Sequence, residues 1–498
     1  MEEFSARTRE TNLIEMASRP VDVLVIGGGI VGAWTALTAA RRGHRTALVE
    51  KGDFASGTSG KTSRLIHGGL RYLQRLRIGV VRRAARERDI LLKIAPSLVR
   101  PLNFLIPVYR DRGPPRWQLR MGLWLYDALS KDKVLPRRKW LTRDETLTRE
   151  PALSGDRLVA AAVYADAITS DARLVIALVR KAAEAGALVA NYARVTEIVR
   201  ESGRVAGAMV FDEEARAVWS VRARAVVNAT GVWVNELQNK GTRLRLRPTK
   251  GIHILVPRPR IGNREAVTLP AHDGRVTFVI PWGELALVGT TDTEHGGSKD
   301  EVEAGPKDVE YLLRAVNEGF PRAGLTVADI VGTYAGLRPL IDTGETKESD
   351  ISREHRILVD PDGLISVAGG KLTTGRAMAL EILSRIERAW GRKGADIPRD
   401  TLGILLESTG VPLDETNLNA LATRVAREEM AIHVDDFLLR RTGLFYERPD
   451  QAARMVPDIV EGMAGALGWG ADRKAEEKER YRRLVERNRR WRGGARDG

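Results

Sequence analysis

Residues 21–50 read VDVLVIGGGIVGAWTALTAARRGHRTALVE, and the fold follows from them. Val21–Ile26 is a short apolar run rich in β-branched side chains, the pattern of a strand buried in a parallel sheet. It leads into Gly27-Gly28-Gly29-Ile30-Val31-Gly32, which satisfies G-x-G-x-x-G. A helix is predicted from there to about Arg42, stopped by Gly43, and Arg45–Val49 is predicted as a second strand closing with Glu50. Gly27 permits the tight turn, Gly29 lets backbone N–H groups approach a pyrophosphate, and Gly32 lets helix and strand pack closely. The phosphates then meet the positive N-terminal end of the helix. Glu50 stands 18 residues past Gly32, where a carboxylate can accept hydrogen bonds from an adenosine ribose. A chance glycine cluster would lack the strand, helix and acid that frame this one. Leu24–Ala40 is uncharged, but its three successive glycines and the Gly43 stop fit a βα unit better than a membrane span.

Around this unit lie 498 residues, enough for two or three domains. Hydrophobic residues make up 43% and charged residues 29%, an ordinary soluble composition. There is no cysteine, which excludes disulfides, thiolate metal sites and cysteine nucleophiles and fits a cytoplasmic protein. Met1–Pro20 carries charges throughout and no apolar core of a secretory signal. The net charge of +15 is compatible with nucleic acid, anionic lipid, an anionic substrate or an arginine-rich surface. No zinc-finger spacing and no aromatic RNP signature accompanies it, so no nucleic-acid partner is expected. No H-E-x-x-H and no G-x-S-x-G elbow stands in context, so neither a metal site nor a serine nucleophile is predicted.

Past Glu50, Asp53–Gly60 is a small, polar loop returning over the cofactor, and Lys61–Gln74 reads KTSRLIHGGLRYLQ. GGGIVG together with SRLIHGGLRYL resembles the FAD-dependent glycerol-3-phosphate dehydrogenases, a flavoprotein family of the amino-acid-oxidase-like group. Further along, Val81–Ile94 is helical and Asn103–Tyr109 is a strand. Arg116–Lys131 is a helix with Trp117, Met121, Trp124, Leu125 and Ala128 on one face and basic flanks at Arg116, Arg120, Lys131 and Lys133. That face suits either a membrane interface or the protein core. A helix from Ser170 to Gly186 precedes a strand at Leu188–Ala190. A meander follows (Val195–Val199, Val205–Phe211, Val218–Ala223), then a strand, Ala225–Gly231, delivered to a glycine. Gly251–Pro257, Arg275–Ile280 and Leu285–Gly289 suggest an antiparallel sheet, and Tyr334–Leu340 and Ile351–Arg356 lead on to the last cofactor element. Leu364–Gly375 is a second strand–glycine–helix junction, which favours a flavin over a nicotinamide. Gly391–Asp400 reads as a linker, Thr401–Gly498 as a helical appendage whose DFLLRRTGL resembles a family motif, and Asp472–Arg492 as an exposed, ion-paired helix.

The resemblance implies an α/β architecture: a Rossmann-like FAD-binding domain, an antiparallel-sheet substrate domain and a small C-terminal helical domain. The FAD-binding domain is expected in three segments (18–80, 166–250, 346–392), the substrate domain in two (81–165, 251–345), and the helical domain over 400–498. It implies oxidation of sn-glycerol 3-phosphate to dihydroxyacetone phosphate, with hydride passing to flavin N5 and electrons to a membrane quinone. The protein would then sit peripherally on the inner face of the cell membrane, against an anionic surface. An oxygen-using glycerophosphate oxidase and an amine or amino-acid oxidase are the alternatives, and the oligomeric state, a homodimer included, stays open. The substrate is a dianion and calls for Arg forks.

Carried over position by position, Arg71, Tyr72 and Arg353 match phosphate-binding positions, Lys371 a substrate-binding position at the GGK junction beside the flavin ring, Arg338 an arginine near the reacting hydroxyl, and His253 the candidate general base. Gly27, Gly29, Gly32, Glu50, Ser59, Thr62, Ser63, His67, Gly68, Gly231, Gly370, Lys371, Thr373 and Thr374 match cofactor-binding positions. From the residues alone, His253 alternates with apolar neighbours as a core histidine does, Arg338 precedes Pro339 as a turn arginine does, and Arg71 reads as a surface charge. Three departures from the family pattern stand out: Trp34 and Thr38 where a glycine and an aspartate are usual, Gly375 where a tyrosine is usual, and a shortened C-terminal domain.

Overall fold

The computed structural model describes residues 4–75, 77–113, 115–130, 134–238, 244–271, 273–342, 355–392, 405–406 and 415–495. Lys131, Lys133, most of the Gly391–Asp400 stretch and residues 351–354, with Arg353, lie outside them. Val21–Ile26 is the middle strand of an eight-stranded sheet, parallel to Thr46–Val49 on one side and to Ala217–Asn228 on the other. Leu188–Ala190 extends the sheet beyond Thr46–Val49, and Ile365–Ala368 extends it beyond Ala217–Asn228. The Ile30–Arg41, Asp171–Glu184 and Gly375–Ala389 helices bury their apolar sides in the core formed with this sheet. These helices cover one face, the meander and the Ala6–Ser18 helix cover the other, and in such open sheets a ligand lies beyond the carboxyl ends of the strands.

The meander and the strand after it differ from the sequence reading in one respect. Val218–Ala223 and Ala225–Asn228 are halves of a single strand, Ala217–Asn228. Its first half pairs antiparallel with Arg204–Asp212 and its second half pairs parallel with Val21–Ile26. Arg222 and Arg224 are exposed between buried neighbours, so the charges alternate outward without interrupting the strand. An additional helix, Ala6–Ser18, opens the described chain; Arg9, Asn12, Leu13 and Met16 form its buried stripe. Arg9 holds it down by donating to the carbonyls of Asn191 (2.7 Å) and Tyr192 (3.1 Å) while pairing with Asp212.

The second sheet has ten strands. It is not purely antiparallel: Ala266–Pro270 runs parallel to Val99–Tyr109, with Ala266 opposite Phe104. These neighbours come from chain segments separated by a full excursion through the first sheet, so no hairpin fixes their direction. Leu158–Thr169, a twelve-residue strand the sequence did not flag, pairs along the whole of Val99–Tyr109. Its alanines have low strand propensity, and burial rather than propensity sets its state.

The C-terminal unit packs Leu418–Glu428, Val456–Leu467 and Ala471–Asn488 around Leu421, Val425, Ile459, Met463 and Tyr481. The last helix carries the expected pairs, such as Arg483 with Glu479 at 2.7 Å, but also a buried stripe of Glu477, Tyr481 and Val485.

Candidate active site

A cavity of about 480 Å³ opens beyond the carboxyl ends of the first sheet. Gly27, Gly29, Glu50, Ser59, Thr62, Gly231, Gly370 and Lys371 line it, bringing the two strand–glycine–helix junctions and the loop between them to one place. The glycines are needed there. Gly27 holds φ at +110°, and a Cβ on it would lie 2.6 Å from the Ala229 carbonyl oxygen. A Cβ on Gly32 would lie 1.8 Å from the Gly27 carbonyl oxygen, so the helix touches the turn directly. The N–H of Ile30, at the helix N-terminus, donates to Ser59 Oγ at 2.9 Å, which sets a hydroxyl beside the expected phosphate position. Glu50 accepts from the N–H groups of Gly28 (2.6 Å) and Gly52 (3.0 Å). Burial raises its pKa against those two bonds, and it lines the same cavity.

Trp34 and Gly375, two of the departures from the family pattern, meet each other. A Cβ on Gly375 would lie 3.0 Å from Trp34 Cδ1 and 2.8 Å from Ile30 Cγ1. The buried indole fills space that a larger side chain at 375 would compete for, so enlargement at one position is matched by reduction at the other. Thr38 is satisfied locally, its hydroxyl donating to the Trp34 carbonyl at 2.6 Å.

The GGLRY and GGK motifs converge at Lys371, which lines the cavity. The Lys371 ammonium lies 4.1 Å from the centre of the Tyr72 ring, a cation–π contact. Gly69, at φ +82°, leaves room for both; a Cβ there would come within 2.6 Å of Lys371 Nζ. The His67 N–H donates to Thr373 Oγ1 at 3.2 Å, and Thr374 is buried one residue on. Arg71 has its backbone in the Leu70–Arg75 turn, and its side chain lies outside the described residues.

His253 comes from the Thr249–Pro257 strand and is 2% exposed. Its Nε2 is 2.8 Å from Ser63 Oγ, and its ring stacks on Tyr334 at 4.7 Å. Nδ1 is buried with no hydrogen-bond partner. Burial, then the charges of Arg338 and Arg64, hold its pKa down to about 3. Arg338 ends the Gly332–Arg338 strand, which pairs alongside the His253 strand. It is fixed by Asp292 (3.0 Å), Thr290 Oγ1 (2.9 Å) and the Thr291 carbonyl (3.1 Å). Arg64, a residue the sequence reading did not single out, stacks 3.6 Å above the Trp282 ring. Thr62 faces Asp171, which accepts from both its N–H (3.0 Å) and its hydroxyl (2.8 Å).

Supports behind the site were also missed by the sequence reading. The Gly68 N–H donates to the Tyr126 hydroxyl at 2.9 Å, which donates in turn to Asp166 at 2.7 Å; Arg88 pairs with the same carboxylate at 2.6 Å. Asp53 is fully buried between Arg440 and Arg441 of the DFLLRR motif, so the C-terminal unit clasps the cofactor loop. The available signal was a lone acid in an apolar run, as at Asp166, but nothing local names its partner. The Arg116–Leu129 helix buries Leu119, Leu123 and Tyr126, and Trp117, Met121 and Trp124 are 67%, 57% and 59% exposed. Among the described residues no helix is long and apolar enough to cross a membrane.

Comparison with known proteins places this geometry. Residues 22–385 match the family model "FAD dependent oxidoreductase", and 412–474 match "C-terminal domain of alpha-glycerophosphate oxidase". The chain is 36% identical to a glycerol-3-phosphate dehydrogenase of Mycobacterium leprae (strain TN), over 93% of its own length and 88% of the relative's. It is 37% identical to an aerobic glycerol-3-phosphate dehydrogenase of Bacillus subtilis (strain 168), over 77% and 70%. Its structure is similar to that of the glycerol-3-phosphate dehydrogenase from Bacillus halodurans complexed with FAD, with a TM-score of 0.79, 27% identity, and coverage of 97% and 98%. The chain belongs to the FAD-dependent oxidoreductases, in the branch of the glycerol-3-phosphate dehydrogenases and oxidases, and FAD is its cofactor.

Proposed function

We propose that this flavoprotein oxidises sn-glycerol 3-phosphate at its secondary alcohol to dihydroxyacetone phosphate. The observation that carries the reading is the meeting of Tyr72 and Lys371, which sets a cation in the wall of the cavity that Glu50 also lines. With Arg71 and Arg353 of the matching motifs, they would hold the phosphate of the substrate. FAD, when bound, supplies the hydride acceptor. His253 is the proton acceptor for the hydroxyl. In the tautomer that donates Nε2–H to Ser63, the buried Nδ1 is the lone pair left without a protein partner. Arg338, held in place by Asp292 and Thr290, stabilises the negative charge that develops on the substrate oxygen.

For the electron acceptor, the similarity to dehydrogenases supports a membrane quinone, and the oxidase-named model over 412–474 supports oxygen at least as well. An anaerobic titration of FAD-loaded protein with glycerol 3-phosphate tests the reading. Bleaching of the flavin band is expected, and a band that persists at saturating substrate would overturn the assignment. Readmission of air against addition of a quinone analogue then identifies the acceptor.

We also propose an anionic membrane surface as partner. Residues 71–140 contain 18 Lys and Arg against 5 Asp and Glu, so this stretch carries most of the net charge of +15. It includes the exposed Trp117, Met121 and Trp124, an apolar ridge on a basic segment suited to a headgroup interface. Flotation with anionic vesicles is expected, and Trp117→Ser with Trp124→Ser should abolish it. Wild-type protein that stays with the pellet at low salt would refute this part.

A further inference from the structure

Residues 58–62 form a partition. Ser59 and Thr62 face the cofactor cavity, whereas Lys61 faces a second cavity of about 530 Å³ on the other side. That cavity lies where all three parts of the molecule meet. Gly52 and Tyr192 come from the first sheet and its loops, Val302 and Gly336 from the substrate region, and Asp435 and Arg480 from the C-terminal unit. The volume falls within the ordinary range for small-molecule sites.

Its chemistry is that of an anion site. Seven Lys and Arg side chains line it against four carboxylates. Most of the cations are already committed. Lys51 pairs with Asp300 at 2.5 Å, Arg194 with Glu213 at 2.6 Å, Arg480 with Asp435 at 3.1 Å, and Lys299 with Glu236 at 3.0 Å. Arg440 serves Asp53 and Asp436, and Arg487 pairs with Glu301 and Glu303. Lys61 differs from them: among the described residues its ammonium has no hydrogen-bond or ion-pair partner. Burial, with repulsion from Arg440 and Arg487, brings its pKa down to about 8. An unpaired cation in a partly desolvated, cation-rich cavity is held at a cost that an incoming anion removes.

We propose that this cavity is a second binding site, separate from the substrate site, for a small phosphate compound anchored by Lys61. Among the described residues that line it, Lys61 is the one cation left uncompensated, and a phosphate oxyanion offers more acceptor oxygens to it and its neighbours than a monocarboxylate does. The remaining N–H groups of Arg480 and Arg487 supply further donors around it. Lys51, Ser56, Gly57, Thr58 and Trp233 line both cavities, so the bound anion would rest against the wall that also faces FAD.

The test uses the FAD-loaded full chain and inorganic phosphate as probe. Lysines are acylated at pH 8 with limiting acetic anhydride, and each is quantified by peptide mass spectrometry, with phosphate or with sodium chloride at matched ionic strength. Millimolar phosphate should slow acylation of Lys61 at least about fivefold relative to chloride, and Lys61→Met should lose one of two phosphate-binding events by calorimetry. Equal labelling of Lys61 in the two salts would overturn the proposal. So would protection confined to Lys371, which reports the substrate site alone, or a Lys61→Met chain that keeps both binding events.

Discussion

Replacing His253 by Gln separates basicity from placement. A glutamine amide can still meet Ser63 Oγ, which now lies 2.8 Å from His253 Nε2, but it has no basic nitrogen. Loss of a general base typically costs about 10²–10⁴ in rate, or roughly 3–5 kcal/mol of barrier. The pH dependence is the sharper test. An ordinary imidazole with pKa near 6.5 would fall from about 76% to about 3% neutral between pH 7 and pH 5, roughly a 25-fold loss of base. His253, held at about 3 by burial and by Arg338 and Arg64, stays neutral throughout that range. Anaerobic stopped-flow at saturating glycerol 3-phosphate measures the flavin-reduction rate directly. The wild-type rate is expected to show no histidine limb between pH 5 and 7, and His253→Gln to be slower by at least about a hundredfold at every pH. A variant within tenfold of wild type would remove His253 from proton transfer. A roughly 25-fold acid limb that vanishes in the variant would show that the imidazole keeps its ordinary pKa, refuting the argument from burial and neighbouring charge.

Three further outcomes follow from the packing. Gly32→Ala puts a methyl group 1.8 Å from the Gly27 carbonyl, so the helix must retreat and FAD should be held at least about tenfold more weakly by fluorescence titration, at an overpacking cost of about 1–3 kcal/mol. Asp53→Asn leaves Arg440 and Arg441 without their shared buried partner and should destabilise by about 3–5 kcal/mol, read as a lower urea midpoint with earlier FAD release. Burial opposes a charged His433, but hydrogen bonds to Glu214 and Glu477 prevail and raise its pKa to about 9. Its stabilisation, about 3 kcal/mol, is full below pH 6.5 and lost as pH rises through 9. Thermal scans from pH 6 to 10 should therefore show a decline that is absent in His433→Gln.

How much of this was legible depended on the range of the forces involved. The Val21–Glu50 unit is fixed by neighbours in sequence, so its strand, turn and helix could be read directly. Alternation in GIHILVP placed His253 on an inward face, yet the partners that determine its chemistry, Ser63, Arg338 and Arg64, come from other segments. The Arg116–Leu129 helix shows the opposite difficulty. It carries two apolar stripes, and only packing shows that Leu119, Leu123 and Tyr126 are the buried one. DFLLRR could be matched as a motif, but its work, closing Arg440 and Arg441 on Asp53, needs a partner nearly four hundred residues away. Leu158–Thr169 escaped notice because alanine has no strand preference to announce.

The two arginines beside His253 also resolve an apparent conflict in the site. Cations near a base weaken it, and a pKa of about 3 would make His253 a poor acceptor for an ordinary alcohol. The same positive field acts on the substrate hydroxyl, where it stabilises the alkoxide and lowers the alcohol's pKa in turn. Arg338 therefore moves donor and acceptor in the same direction and leaves the mismatch between them about as it was instead of widening it. What the field does not cancel is charge at the carbon that loses hydride, and there an oxygen made more anionic pushes the hydride away. Keeping the imidazole neutral means that a proton acceptor is always available, while the fixed hydrogen bonds of Arg338 to Asp292 and Thr290 mean that the stabilising charge needs no rearrangement when the reaction begins.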